Sequence, residues 1–297
     1  MRIEQVTYLG WEKCIQLTHQ ELNLIITTAV GPRVIHCGFT DSDNLFYVHP
    51  QQSGTIGGNE WKTYGGHRLW CAPEDLATTY APDNSPVEVE EFSTGVRFIA
   101  PLKPRGIQKT ISISPVEGQN KVQIEHVISN KGSNTLRLAP WALTVMRQGG
   151  TAIIPHNLDR PRQLLPSHSL SLWGYTQMSD PRWHWGNRYI HLRQDPAAST
   201  AQKFGCQNPY GWAGYAVNDQ FFLKRFAWNE TAIYPDFNCN FEAYTDQAIL
   251  ELETLAPLCE LQPGESATHR EEWSLYRNIP LPVTEADVDR LILPLLG

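Results

Sequence analysis

The chain alternates apolar and polar positions in short runs, most with a period of two. "VEVEEFSTGVRFIAPL" (87–102) alternates Val and Glu along its first arm and turns at Ser-Thr-Gly, which predicts a hairpin. "KTISISP" (109–115) puts Ile111 and Ile113 on one face, and "KVQIEHVISN" (121–130) does the same with Val122, Ile124, His126 and Ile128. "LNLIITTAVGPRVIHCGF" (22–39) reads as two strands joined by a Gly-Pro turn. "TLRLAPWALTVM" (135–146), "AILELETL" (248–255) and "HREEWSLY" (269–276) add three more, the last two separated by Pro263-Gly264. No long amphipathic helix interrupts them. A short helix is predicted at the end, where Thr284 caps "EADVDRLIL" and Asp287 reaches back as in a capping box. Strand following strand predicts an all-β protein of antiparallel sheets packed face to face.

The stretch from about 147 to 246 is different. It is rich in Trp, Tyr, Asn, Asp and Pro and holds no fixed repeat, low-complexity run or linker. One domain over residues 1–297 is expected. Hydrophobic residues make up 41% and charged residues 19%, enough for a real core, and 21 Gly with 21 Pro favour many turns. The net charge is −7 with no basic block, which argues against a nucleic-acid partner. No apolar run has membrane length. The first fourteen residues lack an apolar signal core, so a cytoplasmic location is expected. Cys14, Cys37, Cys71, Cys206, Cys239 and Cys259 are scattered and read as reduced thiols, with no ligand spacing for a metal. No cofactor is expected. The oligomeric state leaves no mark on the sequence.

Candidate chemistry begins with "NEWKTYGGHRLWCAPE" (59–74), which has neither a helical nor a strand period. It is expected to be an irregular loop across the mouth of the sandwich. Trp61, Tyr64 and Trp70 would offer stacking surface, His67 a proton handle, and Arg68 with Glu74 a clamp for hydroxyls. The competing reading is that Trp61 and Trp70 pin the loop to the core while His67 caps a turn. Several of the ten tryptophans, including Trp183, Trp185 and Trp212, also sit beside Arg, His, Asp or Gly. Sugars have apolar C–H faces and polar rims, so interleaved aromatic and planar polar side chains point to a carbohydrate ligand. In "LELETLAP", alternation sends Glu251 and Glu253 to one face and Leu250 and Leu252 to the other. Glu242 stands in an Asn-rich, aromatic setting. Arg182 in "DPRWHW" and Asp236 in "YPDFN" are further candidates for sugar hydroxyls.

The order of these features resembles the galactose mutarotase (aldose 1-epimerase) superfamily, over roughly residues 5–276. "ELNLIITTAVGPRVIHCGF" is similar to that family's opening hairpin with its Gly-x-Arg turn. "YGGHRLW" resembles the stretch in which mutarotases hold a site His beside Gly-Gly, with the order reversed. "LETLAP" resembles the strand that carries the family's catalytic base, and the match lands on Glu253. "LQPGESATHREEWSLY" is similar to the last turn and strand. The resemblance implies a β-supersandwich and a small-molecule sugar substrate. It also implies interconversion of the anomers of a free aldose by general acid–base catalysis. One departure stands out. The family's mid-chain Asn-His pair has no match in "LRLAPWALTVM", where Pro140 and Trp141 stand instead. With the usual acid gone from its place, His67 is expected to serve, or His126 or His156, or the activity is lost. Arg33 and Arg68 would then orient hydroxyls, and Trp61, Trp70 and Trp141 would wall the pocket. Two alternatives stand beside this. One is a non-catalytic carbohydrate-binding protein on the same fold. The other is an epimerase of a phosphorylated sugar, with Arg160 and Arg162 on the phosphate. A polysaccharide lyase or hydrolase fits less well, because the usual partner domain has no room in a chain this short.

Overall fold

The structure, a computed structural model, describes residues 1–156, 164 and 166–297. Arg160 and Arg162 lie outside the described residues. Two large sheets dominate, and every strand pairing between described residues is antiparallel. The first sheet runs Arg2–Tyr8, Trp11–His19, Leu22–Thr27, Arg33–Phe39, His67–Ala72, Leu136–Met146, Leu250–Leu255, Phe241–Thr245, Gln202–Cys206 and Leu170–Leu172. Cys259–Leu261 adds to the far end of Leu136–Met146. The second runs Trp183–Trp185, Tyr189–Arg193, Thr151–Pro155, Trp212–Val217, Gln220–Phe226, Ser266–Arg277, Lys121–Asn130, Ile107–Pro115, Gly95–Ile99 and Glu88–Phe92.

The strands read from alternation are present. Lys121–Asn130 buries every second residue, Val122, Ile124, His126 and Ile128 among them, as a strand with one face on the core must. The hairpin of Glu88–Phe92 and Gly95–Ile99 turns at Ser93-Thr94, and the two strands of 22–39 meet across a cis Gly31-Pro32 bond. Thr284 caps the helix Glu285–Leu291, with Asp287 completing the capping box. That helix lays Val288 and Ile292 against Ile153, Trp212 and Leu223 on the outside of the second sheet. Between the sheets lies the main core, which includes Leu69, Cys71, Ile111, Ile124, Phe222, Leu250, Leu252 and Trp273.

The expected irregular loop at 59–74 is corrected here. Its second half, His67–Ala72, is a strand near the middle of the first sheet, buried on both faces. Double burial removes the alternation by which a strand announces itself. The aromatic middle of the chain likewise holds strands, such as Thr151–Pro155, Gln202–Cys206 and Trp212–Val217, that are buried along their whole length.

Candidate functional site

Five neighbouring strands of the first sheet build a site on the face turned away from the second sheet. Alternation sends Leu69 and Cys71 inward and Arg68 and Trp70 outward, Leu252 and Thr254 inward and Glu251 and Glu253 outward. Register then sets the neighbours. Arg68 pairs with Leu143, Leu143 with Glu253, Glu253 with Glu242, and Tyr244 with Lys203. A cavity of about 300 Å³ results, at the small end of the ~300–1,000 Å³ typical of ligand pockets. Trp61, Trp70, Trp141, Tyr80, Tyr175 and Tyr244 wall it. Trp70 stands edge-on to Trp141 with ring centres 5.3 Å apart, and Trp61 to Tyr80 at 5.4 Å, so the aromatic walls brace one another.

The charges are concentrated on one side. Glu242 and Glu253 lie directly opposite each other across two strands, an arrangement that repels when both are ionised. Lys203 sits between them, its Nζ 2.8 Å from Glu242 and 3.1 Å from Glu253, over the faces of Trp141 and Trp173. Burial opposes the ammonium, yet the two carboxylates hold its pKa well above the usual lysine range. Burial pushes both carboxyls up despite Lys203, and each is raised further by a neighbouring carboxylate. Glu253 is 1% exposed. Its Oε2 accepts from Trp141 Nε1 at 2.9 Å and from Lys203 Nζ, while its buried Oε1 has no hydrogen-bond partner. Arg68 pairs with Glu251 at 3.0 Å and lies over Trp70, leaving Nε and Nη1 buried and unbonded. Buried polar atoms are nearly always satisfied, so these unbonded atoms, on residues that line one cavity, mark it as a candidate place for a ligand's hydroxyls.

Of the residues singled out in the sequence, Glu253, Trp61, Arg68, Trp70, Glu74 and Trp141 come together here. Glu242 adjoins the cavity through Lys203. The others lie elsewhere, and five expectations are corrected. His67 faces the opposite side of the sheet from Glu253, fully buried, so it does not stand across a sugar from that carboxylate. Arg33 is spent on Asp83 at 2.7 Å and on the carbonyls of Thr63 and Gly65. Tyr64 packs edge-on to Trp11 in a separate cluster. Arg182 pairs with Asp180 and bonds Thr200 at an edge of the second sheet. Asp236 belongs to a tight turn, where its carbonyl accepts from Ser171. Sequence reasoning missed Lys203, Tyr80, Tyr175, Tyr244 and Asp246. Alternation about Phe204 and Cys206 turns Lys203 outward, but nothing in "AQKFGC" names its partners.

His67 belongs instead to a polar core between the sheets. Its Nδ1 bonds Thr144 at 2.9 Å and its Nε2 meets His126 Nε2 at 2.6 Å. His126 Nδ1 faces the His269 carbonyl at 3.3 Å, so that nitrogen donates and His126 Nε2 accepts from His67. Glu271 accepts from Thr254 and from Trp273 at 2.7 Å, and pairs with Lys224 at 3.0 Å. Burial drives His67, His126 and His269 toward the neutral form. His67, His126 and Glu271 offer metal-ligand atoms within 4.8 Å of one another, but each is already committed to a hydrogen bond or ion pair. His156 bonds the Gly186 carbonyl and does not line the cavity.

A larger groove of about 850 Å³ crosses the outer face of the second sheet. Several of its charges are paired, Arg270 with Glu125 at 2.7 Å and Lys121 with Glu272 at 3.1 Å. No described helix is long and apolar enough to cross a membrane.

No protein-family model matches the chain, and no curated protein sequence matches it. Solved structures do. A protein of Synechocystis sp. PCC 6803 superposes with a TM-score of 0.57 at 13% identity, over 92% of this chain and 99% of its own. A galactose mutarotase-like protein from Lactobacillus casei gives 0.55 at 10% identity, over 89% and 100%. A galactose mutarotase-like protein from Clostridium acetobutylicum gives 0.56 at 9% identity, over 93% and 98%. Identities this low speak to architecture alone, and on that ground the chain has the galactose mutarotase-like fold.

Proposed function

We propose that the cavity on the first sheet binds a single sugar ring and interconverts its anomers, as an aldose 1-epimerase does, with Glu253 as the base. The observation that carries this is the state of Glu253. It is a buried carboxylate, held on one oxygen by Trp141 and Lys203 and unbonded on the other, inside an aromatic box of monosaccharide size. A carboxylate raised toward neutrality by burial is matched to taking a proton from an anomeric hydroxyl and returning it. Trp61 and Trp70 would stack on the sugar's C–H face. Arg68, with two unbonded nitrogens, would hold a hydroxyl.

One observation favours a second reading, a protein that binds sugar without turning it over: no histidine lines the cavity among the described residues. Two-dimensional exchange spectroscopy on anomeric protons, run over a panel of free aldoses, separates the two. Protein-dependent cross-peaks between α and β anomers are expected, and Glu253→Gln should lower the exchange rate by about 10²–10⁴-fold. Line broadening of one sugar without exchange means binding alone. Full exchange in Glu253→Gln removes Glu253 from the chemistry.

A further inference from the structure

We infer that Lys203 is the proton donor of this site, working side by side with Glu253 on the two oxygens that share the anomeric carbon. The inference rests on the anomer-exchange reading above and supplies the acid which that reading lacks. Among the described residues, Arg68 and Lys203 are the cations lining the cavity, and Arg68 is tied to Glu251. Lys203 carries three N–H groups and spends two directions on Glu242 and Glu253. Its Nζ lies 3.1 Å from the oxygen of Glu253 opposite the unbonded one. The anomeric hydroxyl and the ring oxygen are bonded to one carbon. A base and a donor held next to each other therefore reach both at once, and a group across the ring is not required.

Proton bookkeeping closes. Glu253 Oε1 takes the proton of the anomeric hydroxyl as the C1–O1 bond becomes a carbonyl. The C1–ring-oxygen bond breaks, its electron pair goes to the ring oxygen, and that oxygen takes a proton from Lys203 Nζ. C1 turns about its bond to C2, and the reverse transfers close the ring with the other configuration. The two transfers help each other. Lys203 holds its proton because two carboxylates face it, with Tyr80, Tyr175 and Cys239 nearby and Arg68 and Glu251 acting on Glu253. Once Glu253 is neutralised by the substrate's own proton, its part of that hold is gone and the ammonium becomes the stronger acid. Glu242 keeps a countercharge on the lysine in the resting site.

The test compares anomer exchange in the native protein, Glu253→Gln, and Lys203→Ala with and without ethylammonium. Sugar affinity is read by line broadening and folding by circular dichroism. Lys203→Ala should lose about 10²–10⁴ in rate, keep its sugar, and recover part of the rate as ethylammonium fills the vacated space. Lys203→His should restore some rate, with the alkaline limb of the pH profile moved down toward neutrality. A native rate in Lys203→Ala, with Glu253→Gln silent, overturns the inference and leaves the base in place. Lost sugar affinity without amine rescue also overturns it, because the lysine then only shapes the site. No exchange in the native protein for any aldose fells the parent reading instead. Should Lys203→Ala fail to fold with two buried carboxylates unbalanced, the double variant Lys203→Ala/Glu242→Gln carries the same comparison.

Discussion

At the scale of single residues, the site depends on how one carboxylate is held. Trp141 is both a wall of the box and a hydrogen-bond donor to Glu253 at 2.9 Å. Trp141→Phe keeps the ring face and deletes the donor. A hydrogen bond to a charged group is worth about 1.5–3 kcal/mol. It favours the ionised form, so its loss should raise the Glu253 pKa further. The acid limb of the anomer-exchange profile should move to higher pH, with sugar affinity little changed. An unmoved limb would show that this bond does not tune the base. The residue scale is also where the sequence was partly silent. Alternation put Glu251 and Glu253 on a common face and matched the structure. The same rule, applied from His67 to Arg68, puts those two on opposite faces, but only register across strands says which face holds the cavity. Lys203 could not be read at all, because its meaning lies in two glutamates on other strands.

At the scale of elements, the twin glycines before His67 prove to be a turn device. Gly65 and Gly66 have φ of +98° and +69°, a region side chains enter at a cost of about 1–2 kcal/mol per residue. A Cβ on Gly65 would lie 2.1 Å from the Tyr47 carbonyl oxygen, and one on Gly66 2.3 Å from that of Val34. The chain thus enters the His67–Ala72 strand through a gap between two backbones. Gly66→Ala should therefore destabilise the fold by about 2–5 kcal/mol, combining the conformational cost with overpacking against backbone. It should also displace Arg68 and Trp70 from the cavity, seen as lost sugar binding in the fraction that stays folded. Urea unfolding measures the first effect, and a loss below 1 kcal/mol would contradict the close approach. Half-buried strands such as Lys121–Asn130 were legible from their period. His67–Ala72 was not, since its sequence answers to two packed faces at once.

At the scale of the whole molecule, the polar groups enclosed by the sandwich set its response to acid. Burial lowers the pKa of His36 and His191 to about 4 and of His269 to about 3, and drives His67 and His126 down as well. Burial lowers His156 in the same direction. A ring held neutral in the folded state binds its proton only on unfolding. Below the unfolded value of 6.5 the unfolded chain therefore takes up more protons, and stability falls as pH falls toward the folded values. Glu242 and Glu253 act oppositely, because their raised pKa values let the folded state hold protons that the unfolded chain has released. The rings held neutral outnumber the two carboxyls, so the net effect is a stability that falls as pH drops below 6.5. Glu271, held down by Lys224 against the pull of burial, withdraws its own contribution only further into acid. Total stability is only about 5–15 kcal/mol, so this loss should bring acid unfolding toward the folded values of about 4 and 3 for His36, His191 and His269. Urea unfolding at a series of pH values measures it, with the free energy expected to be level near pH 7–8 and to drop steeply below 6.5. A flat profile down to pH 4 would mean that the buried rings are not held neutral. The polar core between the sheets would then be charged, and the hydrogen-bond chain from Thr144 through His67 to His126 would need its protons assigned anew.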